Sequence, residues 1–287
     1  MTEIAATAAL PRSAPSGFWS KVKPPHLFSA LITVLLVVGE YEYHILASYW
    51  VLVIALATAI ASEAILSRWL RGAWPSVLSA YISGNSIVIL TKPQAGIVWP
   101  FCLGALIAIV SKYVLQYRGR HLWNPTNFAI SAMLLLAPGS VAVLSHEWGN
   151  EVWTVAVIWS IGLAVVMRAK LLHITLTYAG SFLVLGGVRA AITGANWLTE
   201  IAPITGPMYQ LLLFFMLTDP RTTVSSRKGR IAVVILIAIG ECILRLGNDY
   251  HAAWAAPFAT APAIFSLALI GPIAMVIDLS RKPAQRR

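Results

Sequence analysis

Apolar runs, separated by short charged breaks or by Gly and Pro, recur along the chain from Leu27 to Ile277. A run of roughly 17 to 25 mostly apolar residues is long enough to cross a bilayer as a helix. We therefore predict an all-α integral membrane protein of about ten transmembrane helices, of which the third and eighth are short. The predicted helices are Leu27–Val38, Leu46–Leu66, Val77–Leu90, Ile97–Leu115, Phe128–Leu144, Trp153–Met167, Leu171–Val188, Tyr209–Leu217, Ile231–Leu246 and Phe258–Ile277.

The composition supports the same class. Apolar residues make up 58% of the 287 positions and charged residues 11%, whereas a soluble domain carries about a quarter charged residues. So few charges cannot cover a water-exposed surface, which argues against a soluble enzyme. We expect a flexible cytoplasmic tail over residues 1–25, one transmembrane domain over 26–280 and a basic cytoplasmic tail over 281–287.

The basic residues predict the orientation. When odd-numbered helices run outward, only Lys92, Arg189 and Arg245 fall on the outer side, and Lys112 lies within the fourth helix. This positive-inside bias predicts cytoplasmic termini and a multi-pass protein of the bacterial inner membrane. The dispersed charges favour lipid headgroups and argue against nucleic acid. The cytoplasmic side receives Arg12, Lys21, Lys23, Arg68, Arg71, Arg118, Arg120, Arg168, Lys170, Arg221, Arg227, Lys228, Arg230, Arg281, Lys282, Arg286 and Arg287.

The residues at the beginnings and ends of the two short helices indicate an internal repeat. Ser83-Gly-Asn-Ser86 and Thr91-Lys-Pro93 flank one, and Thr205-Gly-Pro207 and Thr218-Asp-Pro220 flank the other. Five helices per half force the halves, about 26–145 and 152–280, to be inverted. Matched broken helices in inverted halves predict a site at the membrane midplane. The alternative is that Gly and Thr-x-Pro only cap ordinary helix ends.

Three segments resemble the NqrB/RnfD family, the membrane subunits of sodium-pumping NADH:quinone reductase and of the Rnf electron-transport complex. The segment 213–229, LFFMLTDPRTTVSSRKG, is similar to the family's F-F-M-x-T-D-P-x-T-S-P-x-x-x-x-G. The segment 112–125 resembles K-x-x-F-G-G-x-G-x-N-x-F-N-P-A, and 243–247 resembles I-R-x-x-G. The resemblance implies an electron-transport subunit that works with redox or other membrane-subunit partners.

The same resemblance sets the expectation for cofactors. The family's S-G-A-T segment, whose Thr carries a flavin phosphate, would fall where this chain has Leu144–Glu151, and Thr193-Gly-Ala-Asn196 only echoes it elsewhere. We therefore expect no covalent FMN. Riboflavin is held near x-N-x-F-N-P in the family; Asn124 keeps the second Asn, while His121 and Trp123 replace the first Asn and the Phe. Non-covalent riboflavin or FMN is the remaining expectation.

Cys102 and Cys242 lie in apolar runs without metal-ligand spacing, so we expect no iron–sulfur, haem or other metal site. No arrangement of nucleophile and base suggests a catalytic residue. The candidate cofactor-binding residues come from the broken helices and the family-like segments, together with the deeply placed lysine of the fourth helix. They are Gly84, Asn85, Lys112, His121, Trp123, Asn124, Thr218, Asp219 and Thr222.

Several of the polar residues also have a structural interpretation. His121 beside Trp123 suits an interfacial histidine in an aromatic belt. Glu241 and Arg245 have the i, i+4 spacing of an ion pair, and Glu63 is close enough to a helix end to reach water. Two other functions stay open for the chain: a solute or ion channel or transporter with a site between inverted repeats, and a cofactor-free scaffold subunit.

Overall fold

The computed structural model describes residues 24–46, 48–92, 97–139, 142–143 and 152–281. Most of the two predicted tails, Pro93 and the segment Leu144–Glu151 lie outside the described residues.

In the first half of the chain, each predicted apolar run contains a helix. Helix α3 has the predicted bounds, Val77–Leu90. Helix α5 is 12 residues long: it begins at Pro125 and ends at Leu136, well before the predicted end at Leu144. Pro at the first helical position and Asn124 as N-cap fix where α5 begins. The helices are α1 Pro24–Tyr43, α2 Tyr49–Arg71, α3 Val77–Leu90, α4 Trp99–Val114 and α5 Pro125–Leu136.

The second half is also helical, with one element that the sequence did not predict. This is the short helix α8, Trp197–Ile201, which leads into a 3₁₀ turn at Ala202–Thr205. The eighth apolar run is confirmed as a short, broken helix: five α-helical residues of α9 continue into a five-residue π-helix, Leu212–Met216. The α-helices are α6 Val152–Arg168, α7 Leu172–Thr193, α8, α9 Pro207–Leu211, α10 Arg227–Asp249 and α11 Pro262–Ser280.

Among the described residues, four helices are long and apolar enough to cross a membrane by length and composition: α2, α7, α10 and α11. The helices α3, α4 and α5, and residues 155–168 of α6, are apolar but shorter. The fold is thus that of a helical protein compatible with a membrane. The prediction of ten spans stays a prediction.

The packing order of the helices repeats in the two halves. Helix α2 packs along α4, and α4 packs along α5; in the same order α7 packs along α10, and α10 along α11. The halves meet where α5 lies against α11, and there the Asn127 side-chain amide donates to the Ile264 carbonyl over 3.0 Å. Helix α1 lies against α3 and α6, and α6 in turn contacts α9 and the π-helix.

A two-residue hairpin follows α4. Strands β2 (Gln116–Tyr117) and β3 (Arg120–His121) pair antiparallel across Arg118 and Gly119, whose φ angles of 51° and 77° are those of a type I′ turn. Two further short strands pair antiparallel, Thr91–Lys92 with Ala142–Val143. Because His121 is the last residue of β3, the hairpin determines its position.

The hairpin, the loop 217–226 and the end of α11 form one connected surface, which we call the basic end. The Arg120 guanidinium donates to the carbonyls of Pro220 and Arg221, each over 2.9 Å, and that of Arg118 donates to Leu279 over 2.6 Å. The Ser225 hydroxyl donates to the Asp278 carboxylate over 3.0 Å. These bonds fix the loops of both halves to one another.

Candidate functional site

A cavity of about 530 Å³ lies between α1, α3, α6 and the π-helix. Its volume falls within the roughly 300–1,000 Å³ usual for sites of small molecules and cofactors. Its solvent-exposed lining residues include His26, Ser76, Arg168 and Arg221, which places its opening beside the loop 217–226 of the basic end.

One wall of the cavity is a stripe of serines. Ser76, Ser79, Ser83 and Ser86 follow one another at spacings of three, four and three along α3 and its N-cap, so they share one helix face. All four line the cavity. This stripe was not predicted, although its helical period is visible in the sequence.

Another part of the cavity lining is apolar and aromatic. It is formed by Ile32 and Leu35 of α1 and by Phe214, Phe215 and Met216 of the π-helix. The Phe214 ring is completely buried, and its centroid lies 5.2 Å from that of Trp159 in an edge-on contact. The π-helix places these residues in the lining, and such segments are frequent at functional sites.

Lys112 closes the polar side of the cavity. Its ammonium group lies 3.2 Å from Glu63 Oε2 and donates to Ser79 Oγ over 3.0 Å. Tyr113 donates its hydroxyl to the other carboxylate oxygen, Glu63 Oε1, over 2.8 Å. Both charged side chains are buried, so Glu63 does not reach water as the sequence had suggested. Each charge instead compensates the other, as a buried ion pair must.

Asp219 and Asn124 join the two family-like segments. The Asn124 side-chain amide donates to Asp219 Oδ2 over 3.2 Å. Asn124 Oδ1 accepts from the Asn127 backbone over 3.1 Å, which sets the direction of the amide. Asp219 Oδ1 accepts from the Arg221 backbone over 2.9 Å, and Thr222 donates to Oδ2 over 3.2 Å. Asp219 is thus held in place by partners from both halves.

His121 lines the cavity from the last position of β3, at the open end of the hairpin. Its Nδ1 is buried and has no hydrogen-bond partner within the part of the chain that the structure describes. Burial lowers the pKa of its imidazole, and the positive charges of Arg221, Lys112 and Arg71 lower it further, while Asp219 opposes them. The lowered pKa favours the neutral imidazole.

Five of the nine candidate residues meet at this cavity: Lys112, His121, Asn124, Thr218 and Asp219. The other four do not line it. Gly84 lies against Leu56 of α2, Asn85 bonds the Tyr81 carbonyl within α3, and the Trp123 indole donates to Ala268. Thr222 acts only through Asp219.

A second buried polar cluster lies in the second half, away from the cavity lining. Glu241 pairs with Arg245 over 2.9 Å, as the i, i+4 spacing predicted, and accepts hydrogen bonds from Tyr178 and Tyr209. These four residues tie α7, α9 and α10 together. With three donors around one carboxylate, the cluster is satisfied internally.

A scan against protein-family models found no match to this sequence, and neither did a search of curated proteins. The resemblance in motifs therefore stays a prediction.

Proposed function

We propose that the protein is an integral membrane electron-transport subunit that resembles NqrB and RnfD and binds a non-covalent flavin in the cavity between α1, α3, α6 and the π-helix. The proposal rests on one observation: residues from two segments that are distant in sequence line the same cavity. They are Lys112, His121, Asn124, Thr218 and Asp219. Redox partner proteins would deliver and accept the electrons.

The cavity lining fits a flavin on two counts. A flavin ring is flat, with apolar faces that suit the wall formed by Ile32, Phe215 and Met216. Its edge carries carbonyl oxygens and nitrogens, for which the serine hydroxyls of α3 offer donors.

A bound flavin would supply one- and two-electron transfer. The residues of the chain bind and orient it. Lys112 and Glu63 form a compensated ion pair that would present a fixed dipole, without net charge, to a bound ring. Asn124 and Asp219 hold the polar rim in one geometry, and the apolar wall excludes water.

The test is the visible absorption spectrum of the protein purified in detergent, followed by acid extraction. We expect a yellow preparation that releases close to one flavin per chain and loses its colour on chemical reduction. A colourless preparation that cannot be loaded with riboflavin or FMN contradicts the proposal.

A solute or ion transporter is the second candidate, because the cavity lies between helices of the first half and the broken helix of the second. Solute flux in liposomes distinguishes the two functions. A colourless protein that conducts small solutes is a transporter, and one that neither binds flavin nor conducts is a scaffold.

We further propose ten spans in two inverted halves, with the basic end on the cytoplasmic side. The repeated packing order of α2, α4 and α5 and of α7, α10 and α11 supports the two halves. A membrane-impermeant maleimide tests the orientation in variants with one engineered cysteine and the native Cys102 and Cys242 replaced. Asn248→Cys should react from outside intact cells and Ser225→Cys only after permeabilisation; the reverse pattern contradicts this orientation.

A further inference from the structure

A chain of hydrogen bonds runs from the last turn of α4 to the cavity lining. Tyr113 donates its hydroxyl to Glu63 Oε1 over 2.8 Å, and the Lys112 ammonium donates to Glu63 Oε2 over 3.2 Å. The same ammonium donates to Ser79 Oγ over 3.0 Å, and both Lys112 and Ser79 line the cavity. Every link is within hydrogen-bonding distance, so a proton can pass from each group to the next.

Tyr113 is the member of this chain nearest to water. It is only partly buried, whereas Glu63 and Lys112 are 6% and 5% exposed. The guanidinium carbon of Arg71, an exposed residue at the end of α2, lies 4.5 Å from the centroid of the Tyr113 ring. The chain therefore begins at a partly exposed residue, crosses two buried charged groups and ends in the cavity.

Ser79 is the member of the chain that a ligand in the cavity can contact. The three hydrogens of the Lys112 ammonium go to Glu63, to Ser79 Oγ and to the Ser79 carbonyl, so none is left for a ligand. The Ser79 hydroxyl accepts from Lys112 and donates to no other group among the described residues, which leaves its hydrogen for the cavity. Since a ligand that fills the cavity displaces its water, a proton for that ligand has to come from the lining.

We infer that these four residues form a proton relay, Tyr113–Glu63–Lys112–Ser79, which supplies a proton to the ligand in the cavity when that ligand is reduced. The inference rests on the proposed function, in which redox partner proteins supply the electrons.

The relay moves one proton and returns to its starting state. Ser79 gives its hydroxyl proton to the ligand and takes one from Lys112, whose ammonium becomes an amine. Tyr113 gives its proton to Glu63, and the carboxyl group turns and returns a proton to the amine. Tyr113 then takes a proton from water. In sum, one proton passes from water to the ligand and balances the negative charge of one added electron.

The experiment measures proton uptake by the flavin-loaded, full-length protein in detergent, with a soluble pH indicator, after flash photoreduction. Tyr113→Phe keeps the ring beside Arg71 but lacks the hydroxyl, so we expect uptake per bound flavin to slow about a hundredfold, the lower end of what a positioned proton donor contributes. Ser79→Ala should slow uptake as much, and the double variant no further, because the two residues act in one route. Tyr117→Phe is the matched control: Tyr117 also lies beside an arginine, Arg118, but does not line the cavity, so uptake should match that of the wild type.

Equal rates in the wild type and Tyr113→Phe, or equal slowing in Tyr117→Phe, overturn the relay and leave flavin binding intact. If no flavin binds, the proposed function fails, and a fluorescein label in the cavity then decides the relay alone. The label is attached to Ser86→Cys, which lines the cavity, with Cys102 and Cys242 replaced by alanine. After a laser-induced pH jump, slower protonation of the label in Tyr113→Phe than in Tyr117→Phe supports the relay, and equal rates overturn it.

Discussion

The Asn124 amide lies 3.2 Å from the Asp219 carboxylate, and this hydrogen bond joins segments that are 95 residues apart in sequence. Asn124 caps α5, and Asp219 follows the π-helix, so the bond links an element of each half. Because both residues also line the cavity, the bond sets the geometry of its polar rim.

Asn124→Ser separates this bond from the helix cap. Serine is as good an N-cap as asparagine, but it lacks the amide that donates to Asp219. We expect the free energy of unfolding to fall by about 1.5–3 kcal/mol, as loss of one hydrogen bond to a charged group predicts. The extractable flavin per chain should fall as well, because Asp219 is no longer held in one position at the polar rim. Flavin content after purification is the measurement.

Asn248→Ala is the control, because Asn248 is exposed at the end of α10 and does not line the cavity. Flavin content that is the same in Asn124→Ser and in wild type removes Asn124 from the site.

The periodicity of the sequence predicted the helices well, because apolar runs bounded by Gly and Pro carry their own limits. Val77–Leu90 agrees with α3 at both ends. The short helix α8 was not predicted, since five residues carry no recognisable period and its position depends on packing: Gly186 of α7 lies against Ile201. The π-helix was not predicted either, because its winding depends on how Phe214 packs against Gly162.

The site was predictable where polar residues stand out in an apolar background. Lys112, Asn124 and Asp219 are of this kind, and they line one cavity. Which partner each one finds depends on tertiary structure: nothing local to Lys112 indicates that Glu63, 49 residues earlier, would be its counter-ion. Trp123 lies next to Asn124 in sequence but faces Ala268, because the chain turns into α5 between them.

Replacing only one partner of the buried ion pair Glu63–Lys112 should strongly lower the free energy of unfolding. Lys112→Met leaves a buried carboxylate with Tyr113 as its remaining side-chain donor among the described residues, so we expect a loss of about 3–5 kcal/mol in the free energy of unfolding. Adding Glu63→Gln should recover part of the loss. Denaturation in detergent measures both.

Lys228→Met removes an exposed lysine from the first turn of α10 and should cost less than about 1 kcal/mol. A loss in Lys112→Met no larger than that of Lys228→Met would show that the ion pair does not form.

Gly162 is required by the aromatic wall of the cavity. A Cβ at this position would lie 2.3 Å from Phe214 Cγ, so Gly162→Ala should push the ring toward the cavity and cost about 1–3 kcal/mol of stability. Gly180→Ala in α7 is the matched control, since its Cβ meets no atom and alanine favours the helix by about 0.5–1 kcal/mol. Melting temperatures should move in opposite directions. Equal shifts would contradict the close contact between α6 and the π-helix.

His121 should make stability depend on pH. Burial and the neighbouring cations Arg221, Lys112 and Arg71 hold its pKa below the ordinary value of about 6.5, against Asp219. Above the ordinary pKa the ring is neutral in both folded and unfolded states. As the pH falls through it, the unfolded chain takes up a proton that the folded protein does not, so the protein loses stability.

His121→Gln lacks this proton uptake. Between pH of about 7.5 and 5.5, the melting temperature of the wild type should therefore fall further than that of the variant. Parallel curves for the two proteins would show that His121 titrates normally in the fold.

Flavin binding in the cavity is tested most directly by a variant whose added side chain fills the cavity. Ser86 faces it from α3, whereas Ser160 of α6 is exposed on the surface and does not line it. The measurement is flavin per chain, by acid extraction, in Ser86→Phe and Ser160→Phe purified side by side and loaded with FMN. We expect close to one flavin per chain in Ser160→Phe. In Ser86→Phe we expect less than about a tenth of a flavin per chain, because the added ring occupies the binding volume. Equal flavin content in the two folded variants would contradict binding in this cavity.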